Sequence, residues 1–168
     1  MSEVRYAVGI DLGTTHCVMA AVDLAASDRD AVVERIEAIP QLTAPGAVED
    51  GALDLPDQVM AGLDIILASL HESHRHGGEQ LTDRYLRAIQ HPLVNVITHP
   101  ANRVPGRSQG YALDWARFFQ AARATGTAIE VDGAPGHIDL DGLLARDAVE
   151  AGCTVVIDSD GHFADRIG

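Results

Sequence analysis

The sequence predicts an α/β fold, because from Asp64 onward short apolar runs alternate with longer amphipathic stretches, two of which stop at a glycine. Parallel neighbours need a crossover long enough to carry a helix, so this alternation is the mark of βα units around a parallel sheet. Strands are predicted at Asp64–Ser69, Val94–Thr98, Ala128–Asp132 and Thr154–Asp158. Helices are predicted at Glu79–Gln90, Leu113–Thr125 and Asp141–Ala151. Gly126 and Gly152 follow the last two, where a residue without Cβ accepts the left-handed cap.

The first fifty residues have a different accent. Residues 5–23, RYAVGIDLGTTHCVMAAVD, are two apolar runs around Gly13-Thr14-Thr15 and read as a β-hairpin joined to the same sheet system. A third strand is predicted near Val32–Ile39, after a small, acidic loop at Ala25–Asp30. Residues 39–57, IPQLTAPGAVEDGALDLPD, hold three prolines and two glycines with no helical or strand period, and mark the junction. The expected division is 1–49, a β fragment, and 50–168, the α/β part.

Composition narrows the function. With 25 acidic against 12 basic side chains the net charge is -13, which repels a nucleic-acid backbone and argues against stable binding along a duplex. A phosphorylated substrate stays open, since bound cations reverse the potential within one site. Cys17 and Cys153 form neither a CxxC pair nor a spaced framework, and read as reduced thiols of a cytoplasmic protein. Met1 is followed by no basic-then-apolar signal region, and no apolar run reaches the roughly 18 to 20 residues of a spanning helix, so no membrane association is expected.

The informative polar residues follow the predicted strands. His71 follows ILASL, His99 follows VNVIT, and Asp160 and His162 follow VVIDS. Active sites of parallel barrels are built at that end, and imidazoles with carboxylates from several strand ends suit zinc, manganese or iron. In extended chain Asp160 and His162 point to the same side. Any one of them taken alone reads as a loop residue; their matched placement is what suggests a site. His74, His76 and His91 lack the placement, HESHRHGG reading as a solvated loop, and His137 in APGHIDL reads as a turn residue. Arg103, after THPAN, suits a phosphate oxygen or a surface salt bridge. Glu130 and Asp132 sit at another strand end, where they either orient a ligating imidazole or face solvent.

Five segments in order, DGALDLPDQVMAGLDIILASLHESH, YLRAIQHP, NVITHPANR, GTAIEVDGAPGHIDLDGLLARDAVEAG and TVVIDSDGH, resemble the PHP (polymerase and histidinol phosphatase) domain. The nearest likeness is to the PHP domain at the C-terminus of bacterial family-X DNA polymerases, from about Asp50 to Gly168. The resemblance implies a distorted (β/α) barrel, here partial, that holds up to three metal ions and activates water for phosphoester hydrolysis. By it His71, His99, Asp160 and His162 are metal ligands. The family's opening His-x-His and Ser-Asp-Gly, its next ligand His and its bridging glutamate are absent; Glu49 lies near that glutamate's place with the wrong spacing to Gly51 and Asp54. At most one tightly held metal is therefore expected, with activity below that of a complete site.

AVGIDLGTTHCVMAAVD and IEAIPQLTAPGAVE, about residues 4–49, resemble the N-terminus of DnaK-type heat-shock chaperones. That likeness implies Asp11, Thr14 and Thr15 in a first phosphate loop, but the rest of a nucleotide site is missing, so no nucleotide cofactor is expected. The chain reads as a fusion of the two. The function expected is a metal-dependent phosphoesterase acting on a small phosphorylated substrate or a nucleic-acid end. The alternative is a catalytically inert metal-binding or structural domain, forming a homo-oligomer that covers an open sheet edge.

Overall fold

The computed structural model describes residues 6–12, 17–23, 35–39, 53, 55–70, 76–134, 136–158 and 160, the first three stretches as backbone. Those three are strands: β1 Tyr6–Leu12, β2 Cys17–Asp23 and β3 Arg35–Ile39. They form an antiparallel sheet in the order β1-β2-β3, with Tyr6 opposite Asp23 and Cys17 opposite both Leu12 and Ile39. This sheet is hydrogen-bonded separately from the parallel one, which corrects the expectation of a shared sheet system. The central β2 uses both of its edges within the antiparallel sheet. The turn at 13–16 and most of the predicted junction lie outside the described residues.

The second sheet consists of β4 Leu67–Ala68, β5 Val96–Ile97, β6 Ala128–Asp132 and β7 Val155–Asp158, all parallel and in chain order. Ala68, Ile97, Ile129 and Val155 are level across it, and Asp132 is level with Asp158. β4 and β5 are shorter than the apolar runs that predicted them. At their start the Asn95 side chain adds to the backbone ties, Oδ1 accepting from Ile66 N at 2.7 Å while Asn95 N and Val96 N donate to Ile66 O. At their end the last tie is Thr98 N to Ala68 O at 3.0 Å, after which His99 turns to a φ of +29°.

The helices are α1 Asp57–Met60, α2 Gly78–Gln90, α3 Trp115–Thr125 and α4 Gly142–Glu150. α1 is a single turn that buries Met60, too short to show a period in the sequence. α3 starts later than predicted because Asp114 caps it, accepting from Arg117 N at 3.1 Å, and it ends at Gly126 in the left-handed conformation (φ +79°), as the sequence predicts. Between α2 and α3 the rings of Tyr85, Trp115, Phe118 and Phe119 pack edge-to-face and tilted, with centroids 5.4 to 6.0 Å apart. Such pairs add to the area they bury. Ile89, Ile97, Ala122 and Ile129 continue this core to the sheet. Thr82 pins the two helices, its hydroxyl donating to Gly78 O and accepting from Asp114 N at 2.9 Å. Cys153 is a free thiol that donates to Phe119 O. Among the described residues no helix is long and apolar enough to cross a membrane.

α4 depends on its cap. Asp141 Oδ1 accepts from Leu143 N at 3.0 Å and Leu144 N at 2.9 Å, donors that have no partner inside the helix. Asp141→Ala is expected to lower unfolding stability by about 1 kcal/mol in urea titration, with Asp141→Ser recovering most of it.

Candidate active site at the strand ends

In a parallel sheet all strands deliver their carboxyl ends to one edge, the place where ligands bind in open α/β sheets. His99 stands two residues beyond β5 and Asp160 two residues beyond β7, on either side of β6. Adjacent strands lie about 4.8 Å apart, so backbones two strands apart are within reach of side chains meeting over the strand between them. Both residues have left-handed backbone, φ +29° for His99 and +43° for Asp160. Each is held by a carboxylate. His99 N donates to Glu130 Oε2 at 2.6 Å, and Asp160 N donates to Asp158 Oδ1 at 3.0 Å.

Glu130 and Asp132 lie on β6, paired on both sides, and are 2% and 1% exposed. The reading of this strand end as solvated is thereby corrected: a central strand carries its polar face inward, under the loops that follow its neighbours. Burial first, and then a hydrogen bond with the Asp158 side chain, push the Glu130 carboxyl up to about 9, while the His99 N–H works against the shift. Asp132 is raised mainly by burial and further by the nearby Asp160 and Asp158 carboxyls, while the Ala134 N–H and His137 oppose the rise. Its Oδ1 accepts from Ala134 N at 2.7 Å. Among the described residues its buried Oδ2 has no hydrogen-bond partner; His137 Nδ1 lies 3.8 Å away, beyond hydrogen-bond range.

Asp139 organises the loop that carries His99 and Arg103. The residue is fully buried and bridges β6 at Asp132. Its carboxylate accepts from Ala101 N at 3.0 Å and Arg103 N at 3.2 Å, and also from the Asn102 backbone. Burial raises its pKa, and the three N–H groups oppose that rise. Arg103 itself is half-exposed, with Nη1 3.6 Å from Asp141 Oδ2. The salt bridge named in the sequence reading is thus present. Tyr111 closes the other side: its N donates to Ala101 O at 2.6 Å, and its hydroxyl accepts from Asn102 Nδ2 and approaches Leu70 O, two residues beyond β4. Gly110 must be glycine, since φ is +84° and a Cβ would run into the Ala101 carbonyl.

His71 and His162 lie outside the described residues, as do His74, Glu49, Thr14 and Thr15. His76 Nδ1 is 3.0 Å from Arg84 Nη1, and His91 Nε2 is 3.3 Å from Asp57 Oδ1, so neither stands with His99 and Asp160. Among the described residues no three His, Cys, Asp or Glu groups are arranged to hold a metal ion. Sequence reasoning did not find Asp139, and took His137 for a turn residue alone. The one signal was the Asp-x-Asp of HIDLDG, whose second carboxylate caps α4.

No family model matches the chain. It is 37% identical over 113 residues to the DNA polymerase/3'-5' exonuclease PolX of Bacillus subtilis, covering 67% of this chain and 20% of that protein. It is 30% identical over 145 residues to a probable phosphatase of Caldanaerobacter subterraneus, covering 81% of this chain and 55% of the other. A probable phosphatase of a Thermoanaerobacter species is 28% identical over 145 residues, covering 81% and 57%. The chain thus spans from a fifth to little more than half the length of these relatives. Together they support a PHP-like domain and a phosphoesterase family. The chaperone likeness of residues 4–49 finds no support in them. A stretch covering 81% of 168 residues takes in residues 33 to 136 wherever it begins, so the phosphatase similarity crosses the junction expected near Asp50.

Proposed function

We propose that residues from about Asp50 to Gly168 are the later part of a PHP-type (β/α) barrel that hydrolyses phosphate esters with a divalent zinc, manganese or iron ion. The ligands in this reading are His71, His99, Asp160 and His162. The observation that carries it is the pair of strand-end residues, His99 and Asp160, flanking a strand whose two carboxyl groups are buried. The donor set fits a cation: carboxyls crowded at one edge have pKa values raised by burial and by each other. A bound ion would supply positive charge that makes a water molecule acidic and steadies phosphoryl oxygens.

The chain's own residues would do the rest. Glu130 fixes the His99 backbone, and Asp139 fixes the loop from which Arg103 can leave Asp141 for a phosphate oxygen. The substrate proposed is a small phosphorylated molecule or a nucleic-acid end, in the cytoplasm, without stable duplex binding, in keeping with the charge of -13. One observation favours the inert, oligomeric alternative: β7 is an edge strand whose Ile157 is 77% exposed.

Metal analysis of the purified protein, followed by hydrolysis of p-nitrophenyl phosphate and bis(p-nitrophenyl) phosphate with and without manganese, tests the proposal. Manganese-dependent turnover abolished by a chelator and restored by excess metal is expected. A protein inert towards both esters at saturating manganese overturns it.

A further inference from the structure

The geometry points to His137, oriented by Asp132, as the group that hands a proton to the departing oxygen in the hydrolysis proposed above, on which this inference rests. His137 ends the turn that follows β6, its N donating to Ala134 O at 3.0 Å. It therefore stands at the same sheet edge as the residues after β5 and β7. The two side chains differ sharply in surroundings: that of Asp132 is wholly buried, whereas that of His137 is 44% exposed. The pair thus has one end anchored in the protein and the other open to whatever arrives from solvent.

Asp132 supplies the reason for the pairing. Its Oδ1 is satisfied by Ala134 N, and its buried Oδ2 has no donor among the described residues. A buried carboxylate oxygen left without a donor is costly, and His137 Nδ1 at 3.8 Å needs only a small swing to relieve it. Catalytic hydrogen bonds are often this long before a substrate is bound. Once Nδ1–H donates to Asp132, the tautomer is set, and Nε2 is left to exchange a proton. The charged groups around the pair are Asp158, level with Asp132 on β7, Asp160 beyond it, and Glu130 two residues back on β6. All are carboxyls.

Among the described residues at this edge, several other polar groups have partners of their own. An arginine such as Arg103 keeps its proton. Glu130 is buried against His99 N and Asp158, and Asp139 against the backbone of residues 101–103. In the step itself a water oxygen forms a new bond to phosphorus while the bond from phosphorus to the departing oxygen breaks. The electron pair of that bond stays on the departing oxygen, which takes the proton from Nε2. The proton lost by the water restores the imidazolium through solvent, so the enzyme returns to its starting state.

The test compares p-nitrophenyl phosphate, whose leaving group needs no proton, with phenyl phosphate, whose leaving group does. His137→Gln is expected to lose about 100-fold on phenyl phosphate and under about 5-fold on p-nitrophenyl phosphate. The fall of the phenyl phosphate rate at high pH should vanish with it, and Asp132→Asn should weaken the same substrate selectively. Equal losses on both esters, or full retention on phenyl phosphate, overturn the proposal and leave the phosphoesterase reading standing. A wild-type protein inert towards both removes that reading and the proton role together. Independently of turnover, nitrogen-15 spectra of the imidazole should show an Nδ1-protonated ring that loses this preference in Asp132→Asn. An unchanged tautomer in that variant refutes the pairing whether or not the protein is active.

Discussion

Asp139→Ala is expected to cost about 3 to 5 kcal/mol of unfolding stability, the largest loss of any single polar substitution in the sheet-edge loops. The carboxylate is fully buried and takes hydrogen bonds from three successive backbone N–H groups, of Ala101, Asn102 and Arg103. Alanine leaves three donors without their acceptor, each worth about 1 to 3 kcal/mol if no water reaches it. Asp139→Asn keeps the shape and one acceptor but turns an N–H₂ towards an N–H, so about half the loss is expected. The pH dependence follows from the raised pKa. The native state holds the Asp139 proton more tightly than the unfolded chain, whose value is near 3.8. This contribution to stability is therefore complete below that value and is lost as pH rises through the native one. Urea midpoints of the wild type relative to Asp139→Asn should drift downward over that window, and a difference that rises or stays flat refutes the assignment.

The βα part of the fold was legible because its signals are local. Apolar runs located β4 to β7, and the amphipathic stretches with Gly126 and Gly152 located the long helices to within about two residues. What escaped depends on partners distant in sequence. The Asn95 side chain bonds Ile66 N, and Asp139 meets Ala101 and Arg103 across nearly forty positions of chain. Loops have no period, so neither bond leaves a trace in hydropathy. Alternation in AIEVD correctly puts Glu130 and Asp132 on one face, but polar alternation reads as a wet face. Only the folded chain, in which both carboxyl groups are buried, reveals that the face is not wet. For the candidate site, the strand-end placement of His99 and Asp160 could be read directly, whereas His137 required sight of the orphaned Asp132 oxygen.

His99→Ala should lower bound metal and phosphoesterase rate in parallel, the rate by about 100-fold or more, with little change in unfolding midpoint. A hydrolytic ion takes about three protein ligands and one open position, so the four ligands proposed leave almost no redundancy. Even removal of groups that merely orient a ligand costs about 10 to 100-fold, so loss of a ligand should cost at least the upper end of that range. One bond that holds this residue, from His99 N to Glu130, belongs to the backbone and survives the substitution. The left-handed φ of +29° is unfavourable for alanine as it is for histidine, which adds only a small penalty. Asp160→Ala should likewise lower metal and rate together, and the bond from its backbone N–H to Asp158 survives that substitution. His162→Ala should follow if His162 shares an ion with Asp160. Elemental analysis beside thermal melts separates the outcomes. A His99→Ala protein that keeps full metal and full rate would place the site elsewhere, whereas one that loses metal and midpoint together would make His99 a folding residue.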